Sequence, residues 1–157
     1  MLPLFEEMGC RLGVTEDSVK IAAPKRISAV RTIKTMPYPG FPTDAQAPFM
    51  AALCTARGTG VIAENIFEAR YKHAGELLRM GARIDINGRV AVIEGVETLH
   101  GAAVKCTDLR GGAALVVAAL AAEGESRIYE LRHIDRGYCG LEEGLRRLGA
   151  KIGRKKE

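Results

Sequence analysis

At 157 residues, 47% hydrophobic and 27% charged, the chain is long enough for one domain with a buried core and too short for two ordinary ones. A net charge of +4 with only 5% aromatic residues and no Trp argues against a nucleic-acid surface, where bases interleave with aromatics, and suits a small anionic ligand better. Cys10, Cys54, Cys106 and Cys139 are too dispersed for a zinc site or a disulfide framework, and their free thiols fit a reducing compartment.

The N-terminal residues MLPLFEEMGCRLG carry acids where a signal peptide needs bases, and no apolar run is long enough to span a bilayer. The expected location is the cytoplasm, with no membrane partner. LFEEM reads as a short amphipathic helix ending at Gly9, a position suited to a left-handed C-cap. RLGV and SVKIAA follow as strand-like runs. PYPGFP at 37–42 is a rigid, extended loop that presents Thr43-Asp44, where Thr43 can cap a long apolar helix. A turn marked by Gly58 then feeds the strand GVIAENI, and an arginine, Arg70, closes that segment.

The same order then returns. AGELLRM ends at Gly81, and RIDI and RVAVIEG form a hairpin turning at Asn87-Gly88. Thr107-Asp108 opens a second apolar helix, Gly124 marks its end, and SRIYEL leads to Arg136. A third copy of the opening motif, LEEGLRRL with Gly149 and AKIGR, closes the chain. The chain therefore reads as one unit over 1–157, with repeats at about 1–70 and 71–137 and a final helix and strand at 138–154. Helices alternating with strands indicate an α/β or α+β domain whose long helices are covered by sheet. Gly111 to Ala122 contains no charge and no amide, which predicts a helix buried on every side.

Charges cluster where this repeat predicts helix beginnings. A helix N-terminus offers unpaired N–H groups and a positive dipole end, a ready site for an anion. Asp44 and Asp108 stand at two such starts, Arg110 lies just inside one, and Arg70 and Arg136 occupy equivalent later points. Three guanidinium groups in a repeated frame could clamp a carboxylate or phosphate, with the aspartates ionised beside them and fit to accept a proton. The alternative reading makes each aspartate a cap and each arginine half of a surface ion pair, such as Arg136 with Asp135. His73, His100 and His133 read as surface or helix-end residues, and the basic tail Arg154-Lys155-Lys156 as a solvated end. Gly111-Gly112 lacks the Lys-Ser/Thr of a P-loop, so close approach of backbone to a ligand or of helix to sheet is the expected role.

PYPGFPTDAQAPFM, ENIFEARYKHAGELLRMGA, KCTDLRGGAALVVAAL and HIDRGYCGLEEGLRRLGA together resemble the UDP-N-acetylglucosamine enolpyruvyl (1-carboxyvinyl) transferase family. The resemblance runs over essentially the whole chain but covers only the C-terminal part of such an enzyme. It implies one lobe of a two-lobed protein, an inside-out α/β barrel of βαβαββ units, N-terminally incomplete, with helices inside and sheets outside.

The implied reaction adds the sugar 3-hydroxyl to C2 of phosphoenolpyruvate while C3 is protonated, after which phosphate leaves. Asp44 matches an aspartate that hydrogen-bonds or deprotonates the hydroxyl, and Ile66 a backbone contact to the UDP-sugar. Arg70 and Arg110 match arginines near the enolpyruvyl carboxylate, Arg136 one near the departing phosphate, and Asp108 an acid close to the reacting carbons. The implied ligands are UDP-N-acetylglucosamine and phosphoenolpyruvate, with no cofactor and no metal. The expected partner is the N-terminal lobe, which would carry the proton-donating cysteine, so the chain alone should turn over little or nothing. Exposed sheet edges would also invite self-association. A shikimate-directed transferase of the same chemistry, and a non-catalytic or split-enzyme binding module, are the competing readings.

Overall fold

The computed structural model describes residues 1–155. Its elements are α1 (Leu2–Glu7), β1 (Arg11–Val14), β2 (Val19–Ala22), β3 (Ile33–Lys34), a 3-10 turn (Thr43–Ala45), α2 (Gln46–Leu53), β4 (Thr59–Ala63) and α3 (Ala74–Arg79). They continue with β5 (Arg83–Asn87), β6 (Val90–Glu94), β7 (Ala103–Lys105), α4 (Leu109–Ala121), β8 (Arg127–Tyr129), α5 (Arg132–Asp135) and α6 (Leu141–Arg147).

The opening motif of each repeat folds as its sequence requires. α1, α3 and α6 run into Gly9, Gly81 and Gly149 with φ of 90°, 89° and 97°, a backbone conformation in which a Cβ is strained. The following amides turn back on the helix: Cys10 N–H donates to Phe5 O, Ala82 N–H to Leu77 O and Ala150 N–H to Leu145 O, at 2.9, 3.1 and 3.0 Å. This is the Schellman closure, made three times. Antiparallel hairpins follow the first two copies, β1 with β2 and β5 with β6; the second turns at Gly88-Arg89, one residue later than expected, because Asn87 pairs with Val90 and ends β5. After α6 no strand forms among the described residues. Instead Arg154, the first residue of the tail expected to be solvated, is tied to Asp135 and Glu142 at 2.6 and 3.1 Å, while Lys156 lies outside the described residues.

Two parallel crossovers carry the core. β3 pairs with β4 in parallel across α2, and β7 pairs with β8 in parallel across α4. β6 then adds antiparallel to β4, giving the order β3-β4-β6-β5. In β6 the inward residues Ala91 and Ile93 are fully buried while their neighbours are exposed, the two-residue period of a half-buried strand. α2 has no charged residue, and Pro48 falls in its first turn, where a missing N–H costs no helical bond. α2 packs directly on α4, and Met50, Leu53, Ile62, Leu77, Ile93, Leu99 and Leu115 share one buried cluster around them.

Three expectations change. The strands form three separate sheets of two, four and two strands, so the fold is mixed α/β, and no closed barrel is present among the described residues. The hairpin β1–β2 and the pair β7–β8 have no ladder pairing with the four-stranded sheet. α4 is not buried all round either. Gly111, Gly112, Ala114, Leu115 and Ala118 face inward, but Val117 and Leu120 are 39% and 48% exposed, because only one side of this helix meets α2. Finally, the cap of α4 is Asp108 rather than Thr107, and α2 has no side-chain cap at all.

Candidate functional site

The N-terminal ends of α2 and α4 lie side by side. Asp108 sits at the N-cap of α4 in extended conformation, and its Oδ1 accepts from the amides of Arg110 and Gly111 at 3.0 and 2.9 Å. Thr107 Oγ1 donates to the other carboxylate oxygen at 3.2 Å. Burial alone would raise this carboxyl, but the three hydrogen bonds prevail and hold it below the usual aspartate value. Asp108 is therefore an ionised cap, with both carboxylate oxygens engaged.

Arg110, the second residue of α4, reaches across to Asp44 on the 3-10 turn before α2, and Nε donates to Oδ1. That hydrogen bond raises the guanidinium above its ordinary value. Asp44 keeps 67% of its side chain exposed and Arg110 31%, so the pair stands at the mouth of the two helices, open to a ligand. Neither helix could make this contact unless both started at the same end of the molecule. The two Thr-Asp segments that the sequence singled out therefore meet.

The other candidate residues are placed by contacts of their own. Arg70 lies in the loop after β4, its guanidinium 4.2 Å above the centre of the half-exposed Phe67 ring, a cation–π contact. Arg70 and Arg136 do not close strands β4 and β8, as expected, but stand well beyond them, Arg136 directly after α5. A Cβ on Gly112 would come 2.7 Å from Ile134, and one on Gly137 2.8 Å from Leu109. These two close approaches lay the Arg136 turn along the first turn of α4. Asp135 pairs with Arg154 and not with Arg136, which makes no ion pair among the described residues. Gly111-Gly112 thus serves close packing, against His73 on one side and Ile134 on the other.

Two groups near the site went unread in the sequence. His73 stands at the start of α3, the helix-end position expected of it, but it is fully buried rather than at the surface, with neither ring nitrogen hydrogen-bonded. Burial pushes it down to about 4, against a smaller upward pull from Asp108. Glu64, 1% exposed, accepts four hydrogen bonds at the end of β4. A single Glu at a strand end carries no signal by itself. Among the described residues no His, Cys, Asp and Glu group of three or more could hold a metal ion. No helix of the structure is long and apolar enough to cross a membrane.

Comparison with known proteins gives the class to which this mixed α/β chain belongs. The sequence profile of EPSP synthase (3-phosphoshikimate 1-carboxyvinyltransferase) matches residues 1–152, and the chain belongs to that family. It is 58% identical over 98% of its length to UDP-N-acetylglucosamine 1-carboxyvinyltransferase of Desulfofundulus thermocisternus, of which it covers 63%. It is 55% identical over 93% of its length to UDP-N-acetylglucosamine 1-carboxyvinyltransferase 1 of Caldanaerobacter subterraneus, of which it covers 35%. The chain thus spans between about a third and two thirds of these relatives, matching their C-terminal portion. The crystal structure of the enolpyruvyl transferase NikO from Streptomyces tendae superposes with a TM-score of 0.87 at 31% identity, over 97% of this chain and 35% of that one. An EPSP synthase from Acinetobacter baumannii shares the fold at 19% identity, with a TM-score of 0.67 over 98% of this chain and 36% of that one.

Proposed function

We propose that the chain forms the sugar-nucleotide side of an enzyme that moves the enolpyruvyl group of phosphoenolpyruvate to the 3-hydroxyl of UDP-N-acetylglucosamine. The observation that carries this reading is the Asp44–Arg110 pair, which joins an exposed carboxylate and a guanidinium at two adjacent helix N-termini. High identity to relatives named for this substrate supports it.

In this reading the incoming hydroxyl displaces Arg110 from one oxygen of Asp44, which orients it and takes its proton as the oxygen–C2 bond forms. A donor in the remainder of the longer enzyme adds a proton at C3 in the same step. The tetrahedral adduct then expels phosphate and loses a C3 proton, restoring the double bond on the sugar ether. Arg70 and Arg110 would hold the carboxylate of the three-carbon unit, each able to bond both oxygens. Arg136, beside the first turn of α4 and lacking an acidic partner among the described residues, would receive the phosphate. Asp108, ionised and fixed, would face the carbons that gain positive character. The backbone at Ile66 would border the sugar nucleotide. Because relatives are longer, we assign complete turnover to the full-length enzyme and substrate binding to this part of it.

Calorimetric titration tests the substrate. UDP-N-acetylglucosamine should bind the chain saturably, and shikimate 3-phosphate should bind at least tenfold more weakly. The reverse preference would contradict the assignment and favour the shikimate-directed reading.

A further inference from the structure

We propose that Glu64 is a positioning residue, a buried carboxylate that sets the places of Asp44 and of the Ile66–Phe67 backbone together. The proposal rests on the reading of Asp44 and Ile66 as substrate contacts given above. Oε1 of Glu64 accepts from Thr35 Oγ1, from Ile66 N–H and from Phe67 N–H at 2.8, 2.9 and 3.1 Å. Oε2 accepts from Thr43 Oγ1 at 2.8 Å. Thr35 in turn accepts from Asn65 N–H at 2.8 Å, fastening the loop a second time.

Three separate segments meet at this carboxylate: the end of β3, the turn that carries Asp44, and the loop that carries Ile66 and leads to Arg70. All four donors point at it, so the anion is fully satisfied without water and without a cation. A buried charge of this kind is costly when any partner is lost, which makes the arrangement stiff. Burial acts to raise the Glu64 carboxyl, and the four donors more than reverse it, leaving it below its ordinary value.

The repeat shows that the fold does not demand this. Glu130 occupies the corresponding place after β8, in the same register that relates Gly58 to Gly124 and Arg70 to Arg136. There the glutamate is exposed and pairs with Arg132 at 3.1 Å. Thr107, the counterpart of Thr43, spends its hydroxyl on Asp108 instead. One structural unit thus occurs twice, and only the copy beside Asp44 and Ile66 buries its carboxylate. Thr43 is the link to Asp44, its immediate neighbour, and through Asp44 to Arg110.

The test separates positioning from folding with Thr43→Val, which removes a single bond and leaves the Ile66 and Phe67 amides on Oε1. In ligand-free NMR spectra the Arg110 Nε–H resonance reports its bond to Asp44. Thr43→Val should shift that resonance most of the way to its position in Asp44→Asn, and Thr43→Ser should restore it. Glu64→Gln should in addition speed hydrogen exchange at the Ile66 and Phe67 amides by about tenfold, in step with the 1.4 kcal/mol that a tenfold change represents. UDP-N-acetylglucosamine affinity should fall at least fivefold in Thr43→Val and recover to within twofold in Thr43→Ser. An unmoved Arg110 resonance in a folded Thr43→Val chain would overturn the proposal. Failure of the wild-type chain to bind the nucleotide would instead count against the proposed function, with the ligand-free spectra still deciding the part played by Glu64.

Discussion

His73 packs its Cβ against Gly111 at the base of the site, and its ring is sealed from water with no hydrogen-bond partner. A neutral imidazole tolerates this; an imidazolium does not. The folded state therefore binds its proton at about 4, against an ordinary value of 6.5 for the unfolded chain. Between these values the unfolded state holds more protons, so stability rises with pH across that window and is lost on acidification. The full difference comes to roughly 3 kcal/mol. Asp108 and Glu64, both depressed, lend stability above their unfolded values and lose it only as pH falls through their folded ones, at the more acidic end. Urea unfolding at pH 7 and at pH 4.5 should show a large drop in wild type, and His73→Leu should remove most of it while changing stability little at pH 7. An equal drop in His73→Leu would refute the assignment. By contrast, the Asp44–Arg110 pair is open to solvent and contributes at most about 1 kcal/mol to folding. Its consequence is for binding.

At the scale of elements, the first turn of α4 joins stability to chemistry. Asp108 satisfies two amides that the helix cannot reach, and through them holds the backbone of Arg110. Asp108→Ala should cost about 1–2 kcal/mol in urea unfolding, whereas Asp108→Asn should keep most of the cap. An undiminished stability in the alanine variant would contradict this account of the cap. The sequence made the helix starts legible, because Thr-Asp before an apolar run is a capping signal, but it could not say which of the two residues caps. Both side chains can reach the amides, and the choice depends on what else each can bond. Thr43 finds Glu64 and Thr107 finds Asp108, partners that only the folded chain supplies. The Schellman glycines and the presence of the β5–β6 hairpin were legible for the opposite reason, since their geometry is settled within a few residues, although the turn itself falls on Gly88-Arg89. The exposed side of α4 was hidden because apolar composition alone does not reveal how many neighbours a helix has.

For the whole molecule, two like crossovers account for the meeting of the helix starts. Two parallel crossovers built alike and packed through α2 and α4 present their helix N-termini at the same end. Duplicated segments thereby bring Asp44 and Asp108, distant in the chain, to one mouth, and the sequence repeat was sufficient to anticipate that meeting. It did not anticipate His73 or Glu64, whose burial depends on contacts between segments far apart in sequence. Nor did periodicity show that the three sheets stay separate, since pairing between sheets depends on edges that local sequence does not specify. The account stands on that shared end being where the ligand sits. Amide chemical shifts of the chain titrated with UDP-N-acetylglucosamine test it most directly. Perturbations should concentrate at Asp44–Gln46, Ile66–Phe67 and Arg110–Gly111, and should vanish in Asp44→Ala. Perturbations confined to the β1–β2 hairpin or to α6, or unchanged by Asp44→Ala, would contradict it.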